Sequence, residues 1–102
     1  MSDQPAKPQF DALAAPPDAL TQGGYEVLRA VIVDGNLHVS LRRAFDEPEV
    51  WGVLLADVVR HIGRVYARET TLREEHVVDK VRGMFEAEME RPTDLGETKS
   101  VS

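Results

Sequence analysis

Asp34-Gly35 sits between two runs of alternating or β-branched apolar residues, Tyr25 to Val33 and Asn36 to Arg43. A two-residue type I′ turn needs positive φ at both central positions, and Asp-Gly suits it. The pair therefore predicts a β-hairpin and, with it, a register. If Val33 faces Asn36, then Ile32 meets Leu37, Ala30 meets Val39 and Leu28 meets Leu41. All six are apolar and share one face. Val31 with His38, Arg29 with Ser40 and Val27 with Arg42 share the other. A slip of one residue would scramble this segregation. A hairpin with one apolar face must bury it against something.

Two amphipathic segments follow. Pro48 to Arg68 carries Trp51, Leu54, Leu55, Val58, Ile62, Val65 and Tyr66 at the three-and-four spacing of a helix. Beside that arc lies a strip of small residues, Gly52, Ala56, Gly63 and Ala67, which admits a close neighbour. Asp46 is the expected N-cap, and Pro48 suits the first turn. Thr71 with Glu74 three residues on reads as a capping box, so a second helix is expected from Leu72 to about Glu90, ending before Pro92. Val77, Val78, Val81, Met84, Phe85 and Met89 share its apolar arc, with Glu88 inside it.

These elements give an α+β fold, ββαα: a two-stranded antiparallel hairpin followed by two helices. The sheet's apolar face is expected against Trp51, Leu54, Val58, Ile62 and the second helix. With 102 residues, 42% of them hydrophobic, there is room for one modest core. Residues 18–91 are expected to form that single domain. Residues 1–17, rich in Ala and Pro, and 92–102, polar, read as disordered tails. Phe10, Leu13 and Leu20 are the exceptions, free to dock on the core or a partner.

Composition narrows the function classes. The chain has no cysteine, which excludes a disulfide framework and thiolate chemistry. A net charge of −6 disfavours general nucleic-acid binding, which requires phosphate neutralisation. The acids gather at the ends, whereas residues 29–73 carry seven Arg against six acids. No run is long enough to span a membrane, and the first residues lack a signal-peptide pattern, so the expectation is a cytoplasmic protein.

Few polar residues suggest chemistry. His61 stands one helical turn after Asp57, a spacing at which a carboxylate can orient an imidazole for general-base work. The simpler reading is a rim histidine bonded locally. His38 and His76 fall in no spaced ligand motif, and no metal or cofactor is expected. Arg60, Arg64 and Arg68 form a stripe, and Arg29, Arg42 and Arg43 lie on or beside the outer hairpin face. Arg42, Arg60, His61 and Arg64 are therefore the candidate ligand- or partner-binding residues. Arg offers carboxylate and phosphate a two-pronged fork. A solvated face with ordinary ion pairs is the plainer alternative. No glycine-rich phosphate loop or nucleophile elbow occurs.

Gly23-Gly24-Tyr25-Glu26, Asp34-Gly35-Asn36-Leu37, and Trp51-Gly52 with Asp57 and Arg60-His61 resemble a small, mainly alphaproteobacterial family of unknown function. The resemblance covers roughly residues 16–67 and implies no site residues. The expected function is a small non-enzymatic interaction or regulatory module, with a homodimer or protein partner. The alternative is a small enzyme or binder of an anionic metabolite, using His61 with Asp57 and the Arg stripe. The homodimer expectation rests on the hairpin's open edges, on Val27 and Val31 outside, and on the small-residue strip.

Overall fold

The computed structural model describes residues 9–93 and 96–101. The element order is α1 (Pro17–Gln22), β1 (Leu28–Val33), β2 (Asn36–Leu41), α2 (Val50–Glu69), α3 (Glu74–Glu90) and β3 (Glu97–Ser100). The α+β expectation holds: an antiparallel strand pair precedes two helices.

The hairpin forms in the expected register, with Val33 opposite Asn36, Ile32 opposite Leu37, Ala30 opposite Val39 and Leu28 opposite Leu41. Asp34 and Gly35 have φ of 51° and 79°, both positive as a type I′ turn requires. The ladder continues one step further, where the Arg42 N–H donates to the Val27 carbonyl at 3.2 Å.

A third strand was not foreseen. β3 lies parallel to β2, with Val39 opposite Thr98 and Leu41 opposite Ser100, giving the order β1-β2-β3. It falls in the stretch read as a polar tail. Its four residues, Glu-Thr-Lys-Ser, carry no hydrophobic pattern, and backbone pairing holds them to the sheet. Gly96 makes the approach possible. Its φ is +63°, and a Cβ there would stand 2.7 Å from the Leu37 carbonyl oxygen.

Both long helices start later than their caps suggest. Asp46 does not cap α2. Instead the Val50, Trp51 and Gly52 N–H groups donate to the carbonyls of Glu47, Pro48 and Glu49. This tight i→i+3 turn leads into a helix that begins at Val50. The capping box at Thr71 is also not formed. Thr70 takes the role at the junction, its hydroxyl donating to the Tyr66 carbonyl at 2.6 Å and accepting from the Leu72 N–H at 3.1 Å. α3 then begins at Glu74. At its far end the Glu88 carboxylate accepts from the Thr93 N–H at 2.8 Å and the Thr93 hydroxyl at 2.9 Å. That explains an acid within the apolar arc.

α2 and α3 form a helical hairpin that closes on Gly63 and Val77, the two buried residues of the pair. A Cβ on Gly63 would lie 3.0 Å from Val78 Cγ2 and 3.3 Å from the Glu74 carbonyl oxygen. The small-residue strip thus serves close packing at Gly63. At Gly52 the same strip faces open space.

The expected packing of sheet on helices is not present. No strand and helix bring Cα atoms within 8 Å of each other among the described residues. The link between β2 and α2 follows its own course, with a tight turn in which the Ala44 N–H donates to the Arg42 carbonyl at 2.8 Å. Trp51 is only half-buried, and its ring meets Phe45 edge-on at 5.2 Å rather than the sheet. The radius of gyration is 17.0 Å, against about 13 Å for a compact domain of this length.

The glycines of the helical hairpin give a direct check. Gly63→Leu should destabilise by at least about 2 kcal/mol, because the contact with α3 has no room. Gly83→Ala, at an exposed position with nothing near its missing Cβ, should stabilise by about 0.5–1 kcal/mol through helix propensity. Urea unfolding at one fixed protein concentration measures both.

Candidate functional site

The charged stripe of α2 places Asp57, Arg60, His61 and Arg64 along one exposed face. Residues three apart on a helix are neighbours. Arg60 Nη1 donates to Asp57 Oδ1 at 3.2 Å. Arg64 Nη1 lies 3.5 Å from His61 Nδ1. Asp57 is thus engaged by Arg60 rather than by His61, and the carboxylate–imidazole pair suggested by spacing is not assembled. Arg68 is exposed in the last turn.

Arg42 belongs to a different part of the molecule. Its guanidinium stacks 5.4 Å from the centre of the Tyr25 ring. Arg29 binds Glu26, with Nε donating to Oε1 at 3.1 Å, and lies 5.4 Å from the centre of the Phe10 ring. These cation–π contacts tie the N-terminal segment to the outer side of the sheet. They were not visible in the sequence, because neither aromatic falls at a regular spacing from its arginine. Among the described residues, no hydrogen bond or ion pair joins Arg42 to the α2 group. His38 is half-buried opposite Val31, and His76 is exposed on α3, so the three histidines do not converge. The described residues contain no cluster of three or more His, Asp or Glu placed to hold a metal.

The more unusual surface is apolar. Val77, at 6% exposure, is the buried hydrophobic residue of the described chain. On the sheet, Ile32 is 67% exposed, and Ala30 and Leu37 beside it are exposed too. On the helices, Leu55, Val58 and Phe85 are exposed. Leu55, Val59, Val78 and Phe85 line a groove of about 300 Å³ between α2 and α3, where Gly52 and Ala56 let the surface dip. A second groove of about 670 Å³ runs between residues 9–13 and β1. Fully burying a large side chain of these types is worth roughly 1.5–3 kcal/mol, and each of these forgoes the part of it that its exposed fraction represents.

Residues 12–93 match the family model described as a domain of unknown function, DUF5076. The chain belongs to this family. The match extends past residue 67 to take in α3, so both helices are part of the family's domain. A solved structure from the photosynthetic bacterium Rhodopseudomonas palustris CGA009, provisionally described as a pyruvate dehydrogenase, is 43% identical. The similarity covers 88% of this chain and 93% of that one, with a TM-score of 0.69. No curated protein matches. No helix among the described residues is long and apolar enough to cross a membrane.

The polar stripe yields a modest expectation. Asp57→Asn removes the partner of Arg60 on a face where both side chains are more than half exposed. Screened pairs of this kind contribute about 0–1 kcal/mol. Urea midpoints of the variant and the parent chain should therefore differ by less than about 1 kcal/mol in free energy.

Proposed function

We propose that this member of the DUF5076 family is a non-enzymatic interaction module that works in the cytoplasm as a homodimer. The observation that carries the reading is the apolar surface left uncovered on both the sheet and the helical hairpin. Contiguous exposed apolar surface marks interaction sites. The polar groups favour the same reading. They pair along one helix face or stack on single aromatics, rather than converging on an enclosed volume where a small substrate would be held.

A second reading comes from the 43% identical Rhodopseudomonas protein and the pyruvate dehydrogenase activity its description suggests. On that reading this chain would be the small enzyme or binder of an anionic metabolite, with His61, Asp57 and the Arg stripe as its polar groups.

Sedimentation equilibrium over a wide concentration range tests the proposal. The expected result is twice the 11.4 kDa chain mass at micromolar concentration. A single species at monomer mass up to high micromolar concentration contradicts the homodimer. Turnover of pyruvate by the purified chain alone would contradict the non-enzymatic reading.

A further inference from the structure

The chain carries two uncovered apolar faces. One is the sheet face that the register builds from Leu28, Ala30, Ile32, Leu37, Val39 and Leu41, exposed at Ala30, Ile32 and Leu37 toward the turn and half-buried at the other three. The other is the α2–α3 groove, apolar at Leu55, Val59, Val78 and Phe85 and lined also by Arg60 and Arg82. Among the described residues of one chain these faces do not meet. We propose that they meet between chains: the sheet of one copy packs into the helical groove of a second, and the second copy's sheet packs into the groove of the first. This rests on the homodimer reading and adds its geometry.

The area is right for such an exchange. The chain exposes 9491 Å², whereas a compact monomer of its mass exposes about 5,800 Å². The surplus is about 3,700 Å² by the same scaling. That surplus exceeds what an obligate dimer takes from each partner, about 1,000–2,500 Å². The dimensions also agree. Six-residue strands span about 20 Å, and a 17-residue helix about 25 Å. The exchange is reciprocal, so a twofold axis closes it and leaves neither face in water.

Edge pairing is the competing geometry. β3 covers one edge of β2, and among the described residues no strand pairs with the outer edge of β1. Joining two β1 strands would extend the sheet but leave the sheet face and the helical groove uncovered. Face exchange covers both.

The chain has no native cysteine, which makes site-directed bridging clean. Full-length Ile32→Cys and Leu55→Cys chains are unfolded together, refolded, and treated with a short bismaleimide, which tolerates misregister that a disulfide would not. Circular dichroism and sedimentation of each variant confirm helix content and mass before bridging. Bridged mixed dimers, several-fold above those of either variant alone, are expected. Bridging of Ile32→Cys chains chiefly to one another would overturn the exchange in favour of sheet-to-sheet contact. A doubly substituted chain that closes on itself, with monomer mass in denaturant, would overturn it in favour of packing within one chain. Dimer mass without a 32–55 bridge defeats the geometry and leaves the homodimer standing, whereas monomer mass for the parent chain defeats both.

Discussion

Burying apolar surface is the dominant favourable term in folding, and among the described residues this chain leaves much of its apolar surface exposed. A sheet with one hydrophobic face and a helical hairpin with another are the usual ingredients of a two-layer domain. Here the two layers stand apart, and Val77 is left as the buried hydrophobic side chain among the described residues. Ordering each residue costs about 1–2 kcal/mol in backbone entropy. One buried valine and a few exposed ion pairs do not offset that. On the proposed homodimer reading, a second copy supplies the cover the two faces require.

Each half has its own local logic. In the sheet, Asp34 and Gly35 turn the hairpin, and Gly96 lets the final strand approach Leu37 closely enough to pair with β2. In the helices, Gly63 removes the side chain that would hold α3 away, and Thr70 ties the end of α2 to the start of the connection. These devices shape the two faces without joining them. Arg64 and Arg68 are exposed on α2, whereas Arg60 also lines the groove with α3, and exposed pairs of this kind tune solubility and long-range charge more than stability.

The hairpin was legible because two independent signals agreed: the Asp-Gly turn and the period-two alternation that a one-residue slip would destroy. The helices were legible from Leu54, Ile62, Val77 and Val81 at helical spacing. Their first turns were not, because Asp46 and Thr71 are good cap residues that the chain passes over for i→i+3 bonding and for Thr70. β3 was illegible for a physical reason: Glu97 to Ser100 pairs through its backbone, and backbone groups are the same in every sequence. Periodicity names the faces of Ile32 and Leu55 but not whether they meet in one chain or two. At the candidate site, spacing located Arg60, His61 and Arg64 together, yet it could not say that Asp57 would turn to Arg60 rather than His61.

If the account is right, folding and association are one event, and stability depends on concentration. Thermal unfolding of the full chain across a hundredfold range of protein concentration tests this most directly. The expected result is a melting midpoint that climbs steadily as concentration rises. A midpoint independent of concentration, with cooperative unfolding throughout, would show that a single copy buries its own apolar faces and would contradict the account.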